Sequence, residues 1–179
     1  MGILNPGGSI LSQRHKLIAE VGCYIPGGRL IAPGVAESLP FEDELYDTAN
    51  IHDNVINNTR FYLPPAARFA RMFISTDTNK IGAGTSHIVG RYTFISIPFY
   101  QPLRGMAVWE DTTSTGNISK ASSMMSPLFP VGVFAVGVDG VGAGSAGDYM
   151  EIRAANLTGT GYLIVGFATS SLFGFEFYD

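Results

Sequence analysis

The chain has 179 residues, of which 15% are charged and 46% hydrophobic, with a formal net charge of −4. An average soluble domain carries about 25% charged residues, so this chain lacks the charge to cover its surface as a monomer. That surface is expected to meet other subunits or to be coated with Ser, Thr, Asn and Gly. With only three lysines (Lys16, Lys80 and Lys120) and no basic stripe, nucleic acid is not an expected partner. Neither is a membrane, since the longest apolar stretch, Leu128 to Val138, falls short of the roughly 18 residues a spanning helix takes.

Residues 1–40 read as an extended Gly/Pro-rich arm. Gly-Gly pairs at 7–8 and 27–28, with Pro6, Pro26, Pro33 and Pro40, interrupt any long element, although one short helix is expected from Ser12 to Val21. Small apolar clusters recur along this arm: Ile3, Leu4, Ile10, Leu11, Leu17, Ile18, Tyr24, Ile25, Leu30 and Ile31. A disordered tail would carry fewer, so these side chains are expected to dock on a partner surface. The start of the chain shows no basic region followed by an apolar run, and no export signal is expected there. Cys23 has no second cysteine to pair with and reads as a small buried hydrophobe.

From residue 41 to residue 179 the texture is β, and a head domain is expected there. Short runs rich in Val, Ile, Phe and Tyr alternate with turn residues. Strands are expected near 44–49, 60–63, 68–76, 86–97, 103–110, 117–125, 130–138, 148–155, 161–168 and 172–178. In the run from Arg68 to Ser75 neither face is strongly polar, which predicts a strand covered on both sides. The 130–138 strand should slip or bulge at a glycine. The last strand sets Phe173, Phe175 and Phe177 on one face and Gly174 and Glu176 on the other, an aromatic anchor for the core. About ten short strands with almost no helix predict an all-β sandwich or jelly roll.

The candidate chemical motifs are poor. Gly142-Ala-Gly-Ser-Ala-Gly147 matches a phosphate-cradling pattern, but a strand rather than a helix follows, so it reads as a hairpin loop. His15, His52 and His87 lack zinc-ligand spacing. A weak cation site formed by Asp47, His52 and Asp53 is conceivable, although a solvated turn fits that stretch better. The acidic run Glu42, Asp43, Glu44 reads as solvated. Three glycosylation sequons, at Asn57, Asn117 and Asn156, fit a surface that uses Asn and Thr in place of charge. No cofactor and no enzyme activity are expected.

Several segments together resemble the globular head of the C1q/TNF-like family. They are Leu45-Tyr-Asp-Thr followed by Asn50-Ile-His-Asp, then Thr59-Arg-Phe-Tyr-Leu-Pro-Pro65 before a long strand from Phe69 to Thr76. Near the end come Gly147-Asp-Tyr-Met-Glu-Ile-Arg153 and Ser171-Leu-Phe-Gly-Phe-Glu-Phe177. The resemblance spans residues 42–179. It departs from the family at Pro65-Ala-Ala-Arg-Phe69, where Gly-x-Tyr is usual, and at Phe175-Glu-Phe, where the pair is usually more apolar. It implies a ten-stranded jelly roll, a homotrimer with a tight apolar interface, and no catalysis. Tyr149, Phe173, Phe175 and Phe177 would then serve the core and the trimer. With an arm where animal members carry a stalk, the chain looks like a phage capsid decoration, or cement, protein. That resemblance implies a place on the outer capsid surface of a virion, manufacture in the host cytoplasm, and the major capsid protein as partner. The alternative is the receptor- or glycan-binding head of a phage fibre, and a weak contact to a host-surface glycan would suit either. A jelly-roll hydrolase would need clustered acids or a metal triad, and the sequence offers neither.

Overall fold

The computed structural model describes residues 15–82, 84–93, 101–111, 118–131, 149–157, 161–166 and 171–179. Thirteen strands lie among them: β1 (Leu17–Tyr24), β2 (Arg29–Ile31), β3 (Val35–Ser38), β4 (Asp43–Asp47), β5 (Phe61–Tyr62), β6 (Phe69–Lys80), β7 (Ser86–Thr93), β8 (Gln101–Asp111), β9 (Ile118–Met125), β10 (Phe129–Pro130), β11 (Tyr149–Asn156), β12 (Leu163–Val165) and β13 (Leu172–Tyr178). All pairings among the described strands are antiparallel, and one set of them is nested. The first strand pairs with the last, β1 with β13. Next inward, β3 and β5 pair with β11, then β6 with β9 and β10, and innermost β7 with β8. A chain doubled back on itself and then rolled gives this order, which is that of a jelly roll.

Two sheets result. The eight-stranded sheet runs β2-β12-β6-β13-β1-β4, with β9 and β10 on the free side of β6, and the five-stranded sheet runs β3-β11-β7-β8, with β5 also on β11. The period of two sorts the side chains. On β6, Ala70, Met72 and Ile74 point inward and are buried, while Phe69, Arg71, Phe73 and Ser75 are half-buried on the outer side. Phe173, Phe175 and Phe177 are fully buried, opposite Ile74, Met72 and Ala70 on one neighbour and Cys23, Val21 and Ala19 on the other. Phe61 of the second sheet meets Phe175 edge-on at 5.1 Å, and Phe41 joins Phe61 and Phe173 at 5.2 and 5.4 Å between ring centres. These rings tie the two sheets together.

The expected boundary at residue 40 moves. Residues 17–38 are not an appendage, because β1 lies between β13 and β4, β2 extends β12 and β3 extends β11. Val21, Cys23, Ile25 and Ile31 belong to the core. The expected helix from Ser12 to Val21 is replaced, from Leu17 onward, by β1. The reason is physical: Ala19, Val21 and Cys23 alternate with a period of two and fill the space under the final phenylalanines. Pro26, Gly27, Pro33 and Gly34, which looked like hinges in an arm, serve as turns, with Gly27, Gly28 and Gly34 all at positive φ. Of the strand expected over 130–138 only Pro130, in β10, and Val131 are described, and its remainder and the glycine motif at 142–147 lie outside the described residues.

Candidate functional site

The outer face of the eight-stranded sheet carries the feature that the fold does not use up. Residues directly opposite each other in an antiparallel pair share a face. One outward row therefore crosses the sheet as Met125, Phe73, Gly174, Gly22 and Tyr46. The two central positions have no side chain, and the flanking rings lean over them. A methyl on Gly22 would stand 2.6 Å from the Tyr46 ring, and one on Gly174 would stand 2.5 Å from Phe73 and overlap the carbonyl of Val21. Beside these rings lies a groove of about 350 Å³ lined by Tyr46, Phe73, Ile74, Met124, Met125 and Leu172, with Ser75, Ser123 and Glu176 also in its wall. Met124 and Met125 are 45% and 56% exposed. Burial raises the pKa of the Tyr46 hydroxyl, and the nearby Glu20 carboxylate adds to the shift.

One end of this face is polar and internally satisfied. Arg71 donates through Nε to Glu176 Oε2 at 2.7 Å and through Nη2 to the Tyr178 hydroxyl at 2.8 Å, and Tyr178 donates to the same Glu176 oxygen at 2.6 Å. The bond to Glu176 raises the Arg71 pKa above its ordinary value. Burial and the Glu176 carboxylate raise that of Tyr178. Close by, Lys16 N donates to the Asp179 side chain at 2.7 Å and His15 Nδ1 lies 3.1 Å from the Asp179 carbonyl, so the chain enters the head beside its own C-terminus.

The residues expected to act as a docking arm are divided. Ile3, Leu4, Ile10 and Leu11 lie outside the described residues. Ile25 and Ile31 are buried in the head and Ile18 packs against the same core, so none of the three is available to a partner. Leu17 and Leu30 are 43% and 54% exposed, and Tyr24 is half-buried at the end of β1. Tyr149 is half-buried on β11, 6.3 Å from Tyr62 and with the Arg60 guanidinium 4.4 Å above its ring. The three phenylalanines of β13 serve the core of the single chain. The groove residues went unnamed in the sequence, yet a signal existed: a strand from Arg68 to Ser75 with no polar face. Among the described residues that strand is fully buried on its inner side and half-buried on its outer one.

The cation reading at Asp47, His52 and Asp53 fails on geometry. Asp47 accepts the backbone amides of Ala49, Ile51 and His52 at 3.1, 2.7 and 2.8 Å. Asp53 accepts those of Val55 and Ile56. His52 is not in a solvated turn; it is buried, stacked on Phe61, with its two ring nitrogens 2.8 and 3.1 Å from the carbonyls of Arg60 and Phe41. Both carboxylates organise the backbone of the loop. Among the described residues no three His, Cys, Asp or Glu side chains are grouped as a metal site. Burial, with the Glu44 and Asp47 charges behind it, pushes the Cys23 thiol far above its ordinary range, which keeps it unreactive. Asn156 is buried and donates to the carbonyls of Ile31 and Gly161, so that sequon is closed to modification.

Among solved structures the chain is similar to the globular domain of zebrafish complement 1qA protein (13% identity, TM-score 0.46, covering 88% of this chain and 95% of that one). It is also similar to murine APRIL (6%, 0.47, 89% and 98%) and to the Eiger TNF of S. frugiperda (13%, 0.48, 90% and 93%). No protein-family model and no curated protein matches the sequence.

Proposed function

We propose that this chain is a non-catalytic assembly module, a C1q/TNF-like jelly-roll head that self-associates as a homotrimer through the outer face of its eight-stranded sheet. The observation that carries this reading is the groove between Tyr46, Phe73, Met125 and Leu172. Apolar side chains form the larger part of its wall, with Ser75, Ser123 and Glu176 among them; it is open in the single chain, and it lies on strands whose inner faces already complete the core. At roughly 25 cal/mol per Å² of apolar surface, covering such a face is a substantial gain. The low charge of the chain points the same way. Light scattering on the purified full chain at micromolar concentration should give three times the chain mass, and a stable monomer would end the proposal.

The finer reading is that the trimer decorates the outer surface of a virion, clamping neighbouring major capsid subunits. The stretch ahead of His15, with Ile3, Leu4, Ile10 and Leu11, supports this: it supplies apolar docking side chains at a point anchored to the head by the Asp179 contacts. Full-length protein should pellet with particles that lack it, and a form without residues 1–14 should not. A glycan- or receptor-binding fibre head is the second reading. The Arg60, Tyr62 and Tyr149 cluster favours it, because it presents aromatic surface beside a cation. Substituting Tyr149 by Ala should then abolish glycan binding and leave particle binding unchanged.

A further inference from the structure

The most exposed apolar side chains among the described residues are not in the groove. Val55 and Ile56 are 81% and 79% exposed, on the loop that crosses from β4 of one sheet to β5 of the other. Two adjacent β-branched residues at a loop tip are costly to leave in water. This tip is also preformed. Asp53 Oδ1 accepts the Val55 amide at 2.9 Å and the Ile56 amide at 3.0 Å, and Arg60 N closes the turn onto the Asn57 carbonyl at 2.9 Å. The backbone that presents the side chains is therefore ordered before any partner arrives, which lowers the entropy lost on binding.

We infer that the self-association contact is heterologous, with the Val55–Ile56 tip of one copy seated in the groove between Tyr46, Phe73, Met124, Met125 and Leu172 of the next. The inference rests on the self-association reading and names its contact. Groove and tip suit each other in size, since about 350 Å³ exceeds the combined volume of one Val and one Ile side chain. They suit each other in polarity. The one charged group at the groove, Glu176, is already held by Arg71 and Tyr178, so an apolar insert leaves no charge without its partner. Both are open in the single chain, so they do not satisfy each other in cis. A two-fold arrangement pairing groove with groove would leave both tips in water. A contact between two different patches closes a ring when its rotation closes, and in the proposed threefold ring every tip and every groove is satisfied.

The test uses two full-length variants with exposed substitutions. One carries Val55→Ser and Ile56→Ser, which keep the backbone bonds to Asp53. The other carries Met124→Glu and Met125→Glu. Circular dichroism and thermal melting should show both folded like the parent. Each alone should sediment as a monomer at concentrations where the parent is trimeric, with association weakened about a hundredfold or more. Mixed in equal amounts they should form dimers, because the intact tip of one meets the intact groove of the other. A parent chain that is itself monomeric would overturn the self-association reading and this contact with it. A trimeric parent whose tip variant stays trimeric would overturn the contact alone, as would two monomeric variants that fail to recover dimers on mixing. As a check independent of folding, a chain carrying Val55→Cys and Met125→Cys should cross-link between copies on mild oxidation, and failure to do so in a trimeric sample would count against the contact.

Discussion

Phe175 and Glu176 are neighbours in the chain and face opposite worlds. Phe175 points into the sandwich with Phe173 and Phe177 and touches Phe61 of the second sheet. Glu176 points outward with Arg71 and Tyr178, at the rim of a groove. The inner face of this sheet is packed with large side chains and has no freedom left. The outer face drops its side chains at Gly22 and Gly174, where the Tyr46 and Phe73 rings lie over the backbone, and leaves a groove beside them lined by Met125 and Leu172 as well. Fold stability resides on the first face. The second carries, beside the Arg71, Glu176 and Tyr178 cluster, the exposed Met124 and Met125, and the proposed assembly would cover them.

The comparison is tested most severely by truncation. Removing residues 1–40 takes away β1, β2 and β3 and exposes the edges of β13, β12 and β11. The head should not fold, and circular dichroism should lack a cooperative melt. Removing only residues 1–14 should leave the melt close to that of the parent. Next in size is Phe175→Ala. A fully buried ring lost from a core costs about 3–5 kcal/mol, read as a lower midpoint in urea at unchanged slope. The outer-face counterpart, Phe73→Ser, removes a half-buried ring and should lower monomer stability by about 1 kcal/mol. In the proposed trimer it should abolish association. If Phe73→Ser lowered stability as much as Phe175→Ala, the division between the two faces would be wrong.

The sequence made the inner face readable and hid much else. Alternation at Phe173, Phe175 and Phe177 and at Ala70, Met72 and Ile74 needs nothing beyond a period of two, and nine of the ten expected strands overlap described ones by two residues or more. The first forty residues misled because glycine and proline density marks turns as readily as hinges. Only pairing with β13 and β11 separates the two, and that pairing spans the whole chain. The groove was hidden for a related reason. Gly22, Tyr46, Phe73, Gly174 and Met125 come from five strands, and no local pattern reports that they share a row.

The smallest expected effect concerns the tip at Val55 and Ile56, and it has a definite sign. Amides of Ile56 and Val55 donate to Asp53 and hold its carboxyl below the ordinary carboxylate range. A group whose folded-state pKa is lowered contributes its full stabilisation above its unfolded value, about 3.9 for Asp. That contribution is lost as pH falls through the lower folded-state value. Order at the tip should therefore be constant from neutral pH down to about pH 5 and decline below about pH 4. Amide exchange protection at Val55 and Ile56, corrected for the intrinsic rate, reads this directly, and the decline should be less than about tenfold because a single exposed group is involved. In Asp53→Asn the side-chain oxygen still accepts but no longer titrates, so protection should start lower and stay flat with acid. In Asp53→Ala it should be low throughout. An acid decline that persisted in Asp53→Asn would place the titrating group elsewhere, and the tip would then owe its order to something other than Asp53.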